Sequence, residues 1–414
     1  MLYWSNEKAA KCYANLVVSL TDYAAKKEGS FAIFSNLSHQ EPEMKSLEEM
    51  KEAADWLVDE FAPVEGYQGQ YLRDMLTATR TFLDLLMGEQ ISYPEAIKRI
   101  LGFEIKEVSK NRLEALETKI DADLRSYGYT EGTVAERVKK WNADNHLEGS
   151  KLVETAEKYL HMLQRETRSM IELPESEGWG KLDTTTGVVW GALSQYQGNY
   201  VTAVTMNLES DWKLPNFIDT ISHELYPGHH TWYSKHEQLF KEDKLPLEAS
   251  MIAICMADNL IFEGVPESGI RFIGIEDLGR RIDGLDPDLQ RKIVVTKSII
   301  DYVRILQVNA CYKYHVGELD AEEAARYMYQ DGWCAEAVAR RVVRYFSHPY
   351  NGLYYPAYFY GRWIVSYAYD LFDDSNRHAF YQMAYEEPHS TGSFIRRVKE
   401  LTGKDFDPIT MAQS

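Results

Sequence analysis

The stretch Ile221-Ser222-His223-Glu224-Leu225-Tyr226-Pro227-Gly228-His229-His230 gathers three imidazoles and a carboxylate into eight residues, in a chain with 11 histidines among 414 residues. The familiar metal-binding pattern H-E-x-x-H works because residues four apart stand one above the other on a helix. Two imidazoles then share one metal while the glutamate faces its water. Here the place of the second histidine is taken by Pro227, and the next imidazoles lie six and seven positions after His223. On an unbroken helix a residue six along points about 240° away, and one seven along returns to the same face about 10.5 Å higher. Neither could share a metal with His223 at ligand distances of about 2.0–2.1 Å. Metal binding through both imidazoles therefore requires a deformed helix, for which Pro227 and Gly228 supply the means. The alternative is a helix that stops at Pro-Gly and leaves two surface histidines.

On either side of this stretch the pattern is helical. Apolar residues recur at three and four spacings over 47–61, 69–87 and 153–171, and Pro94 marks a helix start after Ser92. Residues 127–132 read as a loop, and 173–180, with Pro174 and two glycines, as a boundary. That divides the chain into a helical N-terminal region, 1–175, and a metal-binding region, 176–414. Residues 184–208 are β-branched and aromatic around Gly187, Gly191 and Gly198, the composition of two or three strands. Such a sheet beside a metal site either pairs with an extended substrate or is a structural hairpin.

Pro215 opens the helix that carries Phe217, Ile218, Ile221 and Leu225 on its buried side. The nearly apolar run 247–262 reads as a further helix, ending in Glu263-Gly264. A carboxylate closing a buried apolar run is costly unless it is paired or binds a cation, which makes Glu263 the third candidate ligand. Glu267 is its substitute, and Pro266 between them predicts that only one of the two faces the metal. Residues 287–316 read as a long scaffold helix, with shorter helices at 321–329 and 335–346. Five tyrosines crowd residues 348–362. A tyrosine hydroxyl suits a developing oxyanion, and Tyr358 and Tyr360 are the candidates.

A formal charge of −19 argues against phosphate-mediated nucleic-acid binding. No stretch approaches 18 uninterrupted apolar residues, and Cys12, Cys255, Cys311 and Cys334 are scattered singly, which together predict a cytoplasmic protein with no membrane span.

His223-Glu224-Leu225-Tyr226-Pro227-Gly228-His229-His230 resembles the H-E-x-x-P-G-H-H signature of the bacterial family catalogued as domain of unknown function 885. That family is grouped with zinc metallopeptidases of the glutamate-ligand (gluzincin) type. The later Glu263-Gly264, then Arg344-Tyr345, Pro349 and Tyr358-Phe359-Tyr360-Gly361, follow in the family's order. The chain departs from it at Val265-Pro266, where Trp-Ala is expected, and at Arg341, where a glutamate is expected.

The expectation is a mainly α, multi-helix zinc-metallopeptidase-like fold, with a small β-sheet edging a central cleft. One zinc ion, or another divalent metal, is held by His223, His229 and Glu263, with His230 as alternative second ligand or substrate contact. By analogy with zinc hydrolases Glu224 is the general base, Tyr358 or Tyr360 the oxyanion donor, and Arg344 or Arg362 the holder of a substrate carboxylate. The substrate is a peptide or a small amide. Rival readings are an amidohydrolase acting on a non-peptide amide and a helical binding protein with inert histidines.

Overall fold

The computed structural model describes residues 1–28 and 33–414. The helices are α1 (Glu7–Glu28), α2 (Leu47–Phe61), α3 (Gly66–Leu86), α4 (Tyr93–Leu101), α5 (Lys110–Ser126), α6 (Val134–Asp144), α7 (Leu152–Arg168), α8 (Leu214–Glu224) and α9 (His229–Lys241). Then come α10 (Asn259–Glu267), α11 (Gly269–Phe272), α12 (Pro287–His315), α13 (Ala321–Tyr329), α14 (Glu336–Phe346), α15 (Pro349–Tyr354), α16 (Pro356–Leu371), α17 (Arg377–Glu386), α18 (Thr391–Thr402) and α19 (Pro408–Gln413). Helix starts follow local chemistry. The side chain of Ser46 caps α2, Thr133 and Glu136 form a reciprocal capping box on α6, and Pro94, Pro215 and Pro287 stand in the first turns of α4, α8 and α12.

Two small sheets complete the architecture. Strands β2 (Gly178–Thr185), β3 (Ala192–Gly198) and β4 (Val201–Asn207) run in the order β2-β4-β3, with β2 parallel and β3 antiparallel to β4. The apolar Val188 and Trp190, which read as strand, lie in the loop between β2 and β3, where their carbonyls accept from the Asn207 side chain. The second sheet pairs β1 (Ile33–Asn36) with β5 (Met251–Ala253).

That second pairing corrects the expected helix at 247–262. The run is buried on every side, so its composition suits a strand as well as a helix, and the partner strand comes from more than 200 residues earlier. After β5 the chain turns through Cys255, whose φ is 62°, and α10 begins only at Asn259, whose side chain bonds Met256 N and Ala253 O. Glu263 consequently sits in the middle of a helix.

Buried side chains from both sides of residue 175 form one continuous core, crossed by α12. Helix α10 packs directly on α16. A Cβ on Gly264 would stand 2.3 Å from the Gly361 carbonyl oxygen, and one on Gly361 would stand 2.2 Å from that of Leu260, so the two backbones touch where only glycine fits. This contact fixes Glu263 of α10 against the tyrosines of α15 and α16. The architecture is mainly helical with small sheets, and nothing in its topology marks a zinc-metallopeptidase fold specifically. No described helix is long and apolar enough to cross a membrane, and the four cysteines are free thiols.

Candidate metal centre

Helix α8 ends at Glu224 and α9 begins at His229, so the chain between the histidines is broken rather than bent. The break has its own hydrogen bonds: Gly228 N donates to Ser222 O at 3.0 Å, Thr231 N to Leu225 O at 3.3 Å, and Tyr385 Oη to Pro227 O at 2.7 Å. Gly228 lies directly on the His223 peptide, where an added Cβ would stand 1.7 Å from the carbonyl oxygen. That close approach folds α9 back and brings the His223 and His229 rings to 4.7 Å between centroids, nearly perpendicular.

Glu263 completes the group. Its Oε2 lies 3.4 Å from His223 Nε2 and 3.7 Å from His229 Nε2, and the ligand atoms of the three residues all fall within 4.8 Å of one another. A tetrahedral zinc site with bonds of about 2.0–2.1 Å has ligand-to-ligand edges of about 3.3–3.4 Å, so the spacing suits such an ion. The hydrogen bonding agrees. Tyr354 donates to Glu263 Oε1, while Oε2, buried between the imidazoles, has no hydrogen-bond partner. A buried lone pair aimed at two imidazole nitrogens fits a cation.

The electrostatics are set by carboxylates on both sides of His223. Glu267 Oε1 lies 3.4 Å from Nδ1, opposite Glu263 on the ring. Burial works against charge on His223, but the flanking carboxylates outweigh it and raise its pKa to about 9. Burial alone would also raise the Glu263 carboxyl; the two imidazoles hold it well below the usual range instead. Glu267 is brought to about 2, against burial, by Arg304 at 2.6 Å, by Lys297 at 3.6 Å and by His223. Lys297 is shared with Asp219 of α8 at 2.7 Å. Of the two glutamates only Glu263 belongs to the candidate ligand group, in keeping with the expectation that one of them faces the metal, while Glu267 lies behind His223. Pro266 sits inside α10, whose 263 and 267 positions, one turn apart, address the two edges of one imidazole. Helix α12 is likewise more than scaffold, since it supplies Lys297 and Arg304.

These residues lie at one side of a cavity of about 1370 Å³. Glu224, 7% exposed, lines it together with Tyr233, Tyr345, Tyr354, Tyr358 and the β3 residues Ala192 to Ser194. Burial, then the neighbouring tyrosine and Glu263, raise the Tyr358 pKa well above its ordinary value, so it stands as a neutral donor. Tyr345, which the sequence offers only as part of the Arg344-Tyr345 pair, and Tyr354 have no role in the sequence reading, although both fall in or beside the tyrosine-rich segment that contains Tyr358.

Four expected site residues lie elsewhere. Tyr360 donates to Lys106 O on the opposite side of α16, because residues two apart on a helix diverge by about 200°. Arg344 is exposed: on α14 the cavity face is Val338, Arg341, Val342 and Tyr345, and position 344 falls off it. Arg362 is buried one turn beyond Tyr358, where Asp301 neutralises it and Glu276 lies 3.6 Å away. His230 is fully buried, with Nε2 2.9 Å from Glu177 Oε2 and Nδ1 2.8 Å from Thr202 Oγ1. It points away from His229 because consecutive helical residues diverge by about 100°.

Glu177 also accepts from Tyr226 and Arg168. Burial would raise its carboxyl, yet His230 and Tyr226 bring it to about 2. This cluster ties the start of α9 to β4. His230→Ala is accordingly expected to keep a full complement of zinc while losing about 1–3 kcal/mol of stability, as Glu177 and Thr202 lose their partner. Zinc content and thermal melting of the purified variant check this, and loss of zinc would return His230 to the ligand set.

No family model and no curated protein matches the chain. The resemblance to the domain of unknown function 885 family and its gluzincin-type relatives is thereby overturned. Among solved structures, the chain is similar to a protein of Colwellia psychrerythraea described as a putative lipoprotein, with a TM-score of 0.58 and 16% identity over 87% of this chain and 68% of that one. It is also similar to a putative lipoprotein of unknown function from Shewanella oneidensis, with a TM-score of 0.48 and 12% identity over 93% and 76% of the two chains. The first likeness concerns the fold alone.

Proposed function

We propose that the protein is a zinc-dependent hydrolase that cleaves peptide bonds. The observation that carries this reading is the convergence of His223 Nε2, His229 Nε2 and an unpartnered Glu263 Oε2 beside a large cavity. A zinc ion held by these three residues supplies Lewis acidity, which acidifies water and polarises a carbonyl group. Glu224 borders the same cavity, takes the proton of the attacking water and returns it to the leaving amine. Tyr358 donates to the oxygen on which charge develops. Glu267 holds the His223 ring from its far edge, backed by Arg304 and Lys297.

The peptide class is supported by β3. It is one of the two edge strands of its sheet. Asn207 N donates to Gly191 O, and antiparallel alternation from that pair directs the backbone groups of Ala192 and Ser194 away from β4, toward the cavity that both residues line. An extended peptide can add there as a further strand. The cavity also exceeds the range of about 300–1,000 Å³ ordinary for small-molecule sites. As to location, four free thiols favour the cytoplasm, whereas the name of the Colwellia neighbour points to the envelope.

Protein purified without a histidine tag and loaded with zinc is expected to cleave members of a peptide library, to stop when a chelator removes the metal, and to resume when zinc is restored. Cleavage indifferent to the chelator would remove the metal from the reaction, and absence of any cleavage would remove the peptidase reading.

A further inference from the structure

The two ends of the cavity differ in charge. At the metal end its lining includes the carboxylates Asp219, Glu224, Glu263 and Glu267, carried by α8 and α10. Lys213 immediately precedes α8, ten residues before His223, so at about 1.5 Å per residue it lies roughly 15 Å along the helix from the metal ligands. Arg341 belongs to that end. Its Nη1 donates to Ser210 Oγ at 3.4 Å, and Ser210 stands beside Gly191, where β3 begins. Lys139 of α6 and His146 line the cavity as well.

Among the described residues the only lining carboxylate outside the metal end is Asp211, and it is taken: Lys213 Nζ lies 2.6 Å away and His146 Nδ1 3.7 Å away. Among the described residues no carboxylate lies within ion-pair distance of Arg341 or Lys139. The contrast with Arg304, the other arginine of the lining, is direct, since Arg304 is neutralised by Glu267. Arg341 is half-buried in the wall of the cavity, in a chain with 64 acidic and 45 basic residues. Its planar guanidinium, held at one nitrogen by Ser210, keeps its remaining donors for a carboxylate that enters with the substrate.

We propose that Arg341, supported by Lys139, binds a carboxylate of the peptide substrate at the end of the cavity opposite the metal. This rests on the peptidase reading and adds the substrate's charge to it. A span of roughly 15 Å corresponds to about four to five residues of extended chain, so the carboxylate stands about that far from the bond that is cut. Its source is either the free C-terminus or an acidic side chain.

The test uses zinc-loaded Glu224→Gln protein, so that bound peptides stay intact, titrated with matched short peptides. One pair differs in a free or amidated C-terminus, the other in Asp or Asn near one end. The carboxylate member of one pair is expected to bind about tenfold tighter, the effect of one charged hydrogen-bonded contact. Which pair shows the preference identifies the source. Adding Arg341→Gln should abolish the preference while leaving the affinity for the neutral member unchanged, and Arg341→Lys should retain most of it. Equal affinity within both pairs, or a preference that survives Arg341→Gln, overturns the proposal. The peptidase reading fails separately, if wild-type protein binds the carboxylate peptides with this preference and cuts none of them.

Discussion

Glu224→Gln protein is expected to bind one zinc ion per chain and to hydrolyse peptides slower by about 10²–10⁴-fold, the usual contribution of a positioned general base. Glutamine keeps the shape and most of the packing of the side chain, which is 7% exposed at the end of α8, but it cannot accept a proton at neutral pH. The metal ligands are untouched, because Glu224 is outside the His223, His229 and Glu263 group. The measurement is kcat and KM together with zinc content on one preparation. Since the proton moves only as the reaction proceeds, the loss should fall on kcat with KM nearly constant. Turnover equal to wild type would take the base role from Glu224, and a zinc-free variant would make it a ligand instead.

The second large effect is expected from His223→Ala, which should purify with only traces of zinc and no peptide hydrolysis. Two terms add. The ion loses one of three protein ligands, and the buried Glu263 and Glu267 carboxylates lose the imidazole between them. Stripping one partner from a buried ionic cluster costs about 3–5 kcal/mol. The variant should therefore melt well below wild type even when both proteins are metal-free, and a chelator should leave its melting unchanged. His229→Ala should lose zinc as fully but melt less far down, because His229 has one carboxylate beside it where His223 has two. Retention of stoichiometric zinc by either variant would dissolve the proposed centre. A smaller melting shift for His223→Ala than for His229→Ala would contradict the bracing role given to Glu267.

Much of the chain was legible beforehand because its signals are local. The heptad-like spacing of α2, α3, α7 and α12 and the prolines opening α4, α8 and α12 act within a turn or two of backbone. The rigid geometry of the helix also made the argument about His223 and His229 decisive: six residues apart, they cannot meet on a straight helix, so the break at Pro227-Gly228 was required of any shared site. The same geometry, applied to Tyr358 and Tyr360, would have shown that both cannot face one cavity.

What could not be read were pairings across the chain. Strand β5 looks like helix until β1 lies beside it, and Glu263 looks like a helix terminus until α10 starts at Asn259. Arg344 and Arg362 are the expected holders of a substrate carboxylate, but the turn of α14 presents Arg341 and the Asp301 of α12 neutralises Arg362.

By itself, then, the order of residues determined a mostly helical chain, a forced break between two histidines, and a nearby carboxylate in an apolar run, because dihedral preferences and side-chain period are properties of neighbours. Only the tertiary structure decided which histidine turns inward, which glutamate meets it from each side, and where positive charge is left unpaired. Those outcomes depend on α10, α12 and β4, whose contacts with α8 and α9 join residues from 28 to 78 positions apart, from Thr202 and His230 to Asp219 and Lys297. No local preference encodes a distance of that kind; the burial of opposed charges in one core does.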